Sequence, residues 1–120
     1  MIRITDILDK VGKYATPADL ELIEKAYIFS ATVHAGQLRL SGEPYLTHPM
    51  EVANILADMK LDAASIVTGI LHDTVEDTLA TLKQIEEGFG TDVAVLVDGL
   101  TKLSKITFAS QEERQAENFR

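Results

Sequence analysis

Ile66-Val-Thr-Gly-Ile-Leu-His-Asp-Thr-Val-Glu-Asp-Thr78 is an apolar run ending in four groups able to bind a metal or move a proton: His72, Asp73, Glu76 and Asp77. Read as one helix, it places His72 four residues from Glu76 and Asp73 four from Asp77, so each pair shares a face. Neighbouring residues lie about 100° apart around a helix axis, so the two pairs form one broad surface of imidazole and carboxylate. The segment Ile66 to Leu71 reads as buried. Charge at the end of a buried helix is costly unless compensated, and a bound cation compensates it.

Outward from this stretch the pattern stays helical, with few alternating segments. Upstream, Asp62 is placed to cap the buried helix, and Pro49 opens the preceding one, which carries Val52, Ile55, Leu56 and Met59. Gln37 to His48, rich in Gly, Ser and Pro, reads as a loop. Before it, Thr16 caps and Pro17 starts a helix. Its Leu20, Ile23, Ala26, Tyr27, Ser30, Ala31 and His34 recur at helical spacing, and it ends near Gly36. Ile4 to Val11 is a short amphipathic stretch. Downstream, Thr81 starts a helix that stops at Gly88-Phe-Gly90. Thr91 or Asp92 begins another, with Val93, Leu96, Val97, Leu100 and Leu103 on one face. Ser110-Gln-Glu-Glu113 has the capping-box pattern and announces a further helix. Gln115-Ala-Glu-Asn-Phe-Arg120 then offers only Ala116 and Phe119 for burial and no stop signal. Residues 1–120 therefore read as one domain, the N-terminal part of a longer chain, truncated at its C-terminus.

A length of 120 residues suits a single modest core. The net charge of −8, with no cluster of Lys and Arg, argues against nucleic-acid binding. A phosphate ligand must then be held by a few placed cations, a metal or helix N-termini. Without cysteine, disulfides, thiolate zinc sites and cysteine nucleophiles are excluded. No signal peptide opens the chain, and no apolar run approaches the roughly 20 residues that span a bilayer. The reading is a soluble, cytoplasmic protein with no membrane partner.

His48 stands 24 residues before His72, at the boundary fixed by Pro49. Together His48, His72 and Asp73 make a mixed nitrogen and oxygen set suited to a first-row divalent metal. Such a site, with open positions, can lower the pKa of bound water. Glu76 and Asp77, about one turn on, can position or deprotonate that water. The competing reading is a helix-end histidine paired with its neighbouring carboxylates. In the loop, Arg39 can grip a phosphate or stack on a base, and Ser41 and Gly42 leave backbone donors approachable. Tyr45 can pack its ring and use its hydroxyl; the plainer reading is a surface turn. His34, on an apolar helix face, reads as a hydrogen-bonded core histidine, not a ligand. Asp98-Gly99 and Thr101-Lys102 either reach the same cleft or form a helix C-terminal turn.

These segments together resemble the N-terminal hydrolase domain of the RelA/SpoT family of bifunctional alarmone enzymes, within the HD phosphohydrolase superfamily. The stretches that carry the resemblance are His34-Ala-Gly-Gln37, Arg39-Leu-Ser-Gly-Glu-Pro-Tyr-Leu-Thr-His-Pro49, Leu71 to Thr78, Phe89-Gly90, Leu96-Val-Asp-Gly-Leu-Thr-Lys-Leu103 and Gln115 to Arg120. The resemblance implies an all-α HD-domain bundle. It also implies manganese-dependent hydrolysis of the guanosine alarmone (p)ppGpp to pyrophosphate and GDP or GTP, in the stringent response. By the same resemblance His48, His72 and Asp73 hold Mn2+, and Glu76 and Asp77 are the catalytic acidic pair. Arg39, Ser41 and Gly42 contact the nucleotide. The longer parent is expected also to be a GTP pyrophosphokinase through another domain.

Two departures qualify the match. Leu40 stands where the family often has a basic or small polar residue, so one phosphate contact is expected to be lost or supplied from elsewhere. The family's fourth metal ligand, a later aspartate, has no counterpart here, so this portion alone is expected to be inert. Two alternatives stay open: a standalone HD nucleotide phosphohydrolase, and a non-catalytic nucleotide-binding module of the same fold. Self-association is expected through apolar faces that truncation uncovers, such as those of Leu96, Leu100 and Phe119.

Overall fold

The computed structural model describes residues 2–39 and 41–118. In chain order it runs α1 (Ile4–Val11), α2 (Pro17–Val33), α3 (Thr47–Asp58), α4 (Ala63–Leu71), α5 (Thr74–Asp77), α6 (Leu82–Phe89) and α7 (Thr91–Asn118). The described residues contain no strand, only an isolated antiparallel bridge between Leu38 and Pro44. Several helix starts follow from local chemistry. The Thr16 hydroxyl accepts from the Asp19 N–H at 3.2 Å, and the Asp19 carboxylate accepts from the Thr16 N–H at 3.1 Å. Thr81 and Gln84 repeat this reciprocal cap, and the Asp62 carboxylate accepts from the Ser65 N–H at 2.9 Å. Each satisfies donors that the first helical turn leaves open.

Helix α4 is the hub. Ile66, Val67, Thr68, Gly69, Ile70 and Leu71 are all buried, so this helix is apolar around its circumference. It packs against α2, α3 and α7. Each of its large side chains contributes about 1.5–3 kcal/mol by leaving water. Gly69 sets the spacing to α3: a Cβ there would stand 2.6 Å from Leu56 Cδ1 and 3.3 Å from Val52 Cγ1. This close approach brings the first turn of α3 beside the last turn of α4.

Four expectations are corrected. The His72–Asp77 stretch is not one helix: α4 ends at Leu71, His72 and Asp73 form a turn, and α5 is a separate four-residue turn. The His72 ring accounts for the break. Its Nδ1 lies 2.7 Å from the Gly69 carbonyl, the group an Asp73 N–H would take in a continued helix. Second, α3 starts at Thr47, so His48 lies inside its first turn and not before it. Third, no helix begins at Ser110, because α7 runs unbroken to Asn118. No Gly or Pro occurs between residues 100 and 118, so nothing interrupts it. Fourth, the expected single face of α7 divides into two rows. Val93, Ala94, Val97 and Thr101 are buried, whereas Leu96, Leu100 and Leu103 are exposed. Leu40, Phe119 and Arg120 lie outside the described residues.

Candidate metal centre and acidic turn

His48 comes from the first turn of α3, His72 from the end of α4 and Asp73 from the turn that follows. One donor atom from each lies within 4.8 Å of the others. His72 Nε2 is 3.0 Å from Asp73 Oδ2, and His48 Nε2 is 4.0 Å from the same oxygen. The two imidazoles meet edge to face, with ring centroids 5.5 Å apart. All three side chains are partly buried.

The residues fit a divalent cation by their chemistry. With Nδ1–H donating to the Gly69 carbonyl, His72 leaves its Nε2 lone pair facing the Asp73 carboxylate. Two imidazole nitrogens and one carboxylate oxygen then converge. In the metal-free site the hydrogen bond to Asp73 raises the His72 pKa. Burial opposes the rise, while the Gly69 carbonyl and the charges of Asp73 and Glu76 add to it. Burial pushes the Asp73 carboxyl up. The hydrogen bond from His72 and the positive charge of His72, His48 and His34 together outweigh it and hold Asp73 below the usual carboxylate range. A cation at His72 Nε2 therefore competes with a proton for the same lone pair.

Glu76 and Asp77 follow on α5, both exposed. Glu76 is close enough for its charge to act on His72. Asp77 borders two hollows. One, about 590 Å³, includes Glu76, Gln37 and Gln84. The other, about 470 Å³, includes Arg39, Ser41 and Tyr45. Arg39 and Ser41 thus share a cavity with the acidic turn. Gly42 lies at the loop tip, where its N–H donates to the Arg39 carbonyl at 2.8 Å and its φ of +86° favours glycine. Leu40, the expected site of a lost phosphate contact, is outside the described residues.

Other expectations resolve less directly. Asp98 and Lys102 pair with each other at 2.9 Å along α7, and Thr101 donates to the Val97 carbonyl at 2.9 Å, so their recorded partners all lie on α7 itself. A larger hollow of about 670 Å³, bordered by Tyr14, Lys60 and Phe89, contains none of the donor residues. Convergent chemistry, not size, makes His48, His72 and Asp73 the candidate site. His34 is buried, as expected of a core histidine. The residue whose role went unread is Gln37, which bonds both His34 and Asp77. Its i,i+3 spacing from His34, within a stretch that carries the family resemblance, was the available signal.

The HD domain family model matches residues 26–120. The chain belongs to the HD domain family. It is 64% identical over 113 residues to a GTP pyrophosphokinase of Myxococcus xanthus, a match covering 92% of this chain and 15% of that protein. It is 48% identical over 110 residues to the bifunctional (p)ppGpp synthase/hydrolase SpoT of Escherichia coli strain K12, covering 92% of this chain and 16% of that one. A solved structure of a metazoan orthologue of SpoT, described as hydrolysing ppGpp and playing a role in starvation responses, superimposes with a TM-score of 0.63. That match is 30% identical and covers 72% of this chain and 49% of the other. This HD domain spans 15–16% of the length of these two curated relatives. The all-helical HD fold and the likeness to RelA/SpoT proteins are borne out. No helix among the described residues is long and apolar enough to cross a membrane.

Proposed function

We propose that this HD domain is the 3′-pyrophosphohydrolase part of a RelA/SpoT enzyme, releasing pyrophosphate from the guanosine alarmone (p)ppGpp. The observation that carries this reading is the convergence of His48, His72 and Asp73 within 4.8 Å, with Glu76 near enough for its charge to act on His72. A family that includes SpoT supplies the substrate class. His48, His72 and Asp73 would hold a divalent ion, proposed as manganese, which would supply charge neutralisation at the phosphate and a more acidic water. Glu76 and Asp77 orient the attacking water and take its proton as its oxygen bonds to the phosphorus carried on the 3′ oxygen. The bond from that phosphorus to the 3′ oxygen breaks, the 3′ oxygen gains a proton, and pyrophosphate leaves. Arg39, which makes no ion pair among the described residues, offers its guanidinium to the nucleotide, with Ser41 and Gly42 beside it. On a chain of net charge −8 this placed cation matters more than any general field.

We further propose that a fourth ligand, an aspartate, is supplied from beyond these residues in the longer protein. The test compares pyrophosphate release, with manganese, by this chain and by the Myxococcus xanthus relative carrying this chain in place of its matching segment. Release by the exchanged protein, abolished by Asp73→Ala, is expected. Retained release in the Asp73→Ala protein removes the ligand assignment. No release by either protein, with manganese still bound, leaves a nucleotide-binding module.

A further inference from the structure

Helix α5 is only four residues long, and a single turn is weak by itself because nucleation costs more than one hydrogen bond returns. Its own backbone bonds are Asp77 N–H to the Asp73 carbonyl at 2.9 Å and Thr78 N–H to the Thr74 carbonyl at 3.1 Å. Asp77 is nevertheless held at both ends by residues remote in sequence. Gln37 Nε2 donates to its main-chain carbonyl at 3.2 Å. The Tyr45 hydroxyl donates to its carboxylate.

These two partners are themselves tied together. Gln37 Oε1 accepts from His34 Nδ1 at 2.9 Å, which fixes the amide with its nitrogen toward Asp77. The His34 ring stacks on the Tyr45 ring, with centroids 4.3 Å apart and planes 8° from parallel. The Tyr45 N–H donates to the Gln37 carbonyl at 3.2 Å. His34 is 5% exposed, so the loop of contacts is anchored in the core. The hydrogen bonds and ring stack of Gln37, His34 and Tyr45 are not made to His48, His72 or Asp73; the link to Asp73 is the Asp77 N–H bond to its carbonyl.

We propose that Gln37, oriented by His34, is a positioning residue for hydrolysis: it holds the main chain of Asp77 so that the acidic pair faces the metal centre. It acts through Asp77 and does not touch the reacting atoms. The inference rests on the hydrolase reading, but one of its tests does not. In Gln37→Met, which keeps length and loses both bonds, amide exchange at Asp77 and Thr78 is expected to quicken while α4 amides are unchanged. Gln37→Glu keeps an acceptor for His34 but loses the donor to Asp77, and is expected to behave likewise. Manganese affinity, read by electron paramagnetic resonance on the chain itself, should stay within about twofold. In whichever protein releases pyrophosphate, kcat should fall about 10- to 100-fold, the range for residues that orient a site from behind, with KM nearly unchanged. His34→Phe keeps the ring stack and should add nothing to Gln37→Met, because His34 works through Gln37. A raised KM with intact kcat would mean direct substrate contact and overturn the proposal. Unchanged exchange at Asp77 and Thr78 in both Gln37 variants would overturn it too. If neither this chain nor the exchanged protein releases pyrophosphate, the hydrolase reading fails while the exchange result still stands.

Discussion

Two neighbouring regions of this HD domain are built in opposite ways. The metal centre is set by backbone packing: Gly69 lets α3 and α4 close up, and the imidazoles of His48 and His72 follow. The acidic turn and the arginine loop are exposed and are held by side-chain hydrogen bonds and a ring stack. The first inherits the rigidity of a close-packed core. The second exposes Glu76 and Asp77 and depends on polar contacts, though Thr74 and His34 behind it are buried. A packed donor cluster beside a turn held by polar contacts means that the two regions should respond differently to substitution.

The largest expected effect would break the comparison outright. His72→Ala should weaken manganese binding more than about 100-fold, since even groups behind a ligand cost 10- to 100-fold. Glu76→Gln should leave binding within about threefold. Titration followed by electron paramagnetic resonance measures both, and equal losses would erase the boundary between the regions.

A smaller effect tests what holds each region. Gly69→Ala should cost about 1–3 kcal/mol in urea unfolding, because the added Cβ meets Leu56 Cδ1 at 2.6 Å. The lower end is expected, as that atom is the tip of a half-buried side chain. Arg39→Ala, on the exposed loop, should shift stability by less than about 0.5 kcal/mol. A larger loss for Arg39→Ala would show the loop to be part of the core.

The smallest effect concerns the far end of α4. Hydrogen bonds from the Ser65 side chain and N–H hold the Asp62 carboxyl below its ordinary 3.8. Its contribution is therefore present above that value and lost as pH falls through the lower folded value. Asp62→Ala should cost about 1 kcal/mol at neutral pH. Asp62→Asn should keep the cap and remove this part of the acid sensitivity. An identical acid limb in thermal melts of wild type and Asp62→Asn would refute the assignment.

How much was legible follows the same division. Caps at Thr16, Asp62 and Thr81 were readable because a side chain there bonds a backbone group two or three residues away. The donor set His48, His72 and Asp73 was readable as chemistry, since few other roles need those groups together. The break after Leu71 was not, because it depends on a histidine ring turning back onto the Gly69 carbonyl. The split of α7 into a buried and an exposed row was not, because helical spacing shows that residues align but not which row a neighbour covers.

By itself, then, the sequence determined the all-helical character, the caps at Thr16, Asp62 and Thr81, the absence of thiol chemistry and a candidate donor set, all consequences of local bonding and residue type. Only the tertiary structure decided that α3 and α4 approach closely enough to join His48 to His72, and that Gln37 and Tyr45 hold Asp77 across about 30 to 40 residues of chain. Those contacts depend on how helix surfaces fit together in three dimensions, which spacing along one chain does not encode.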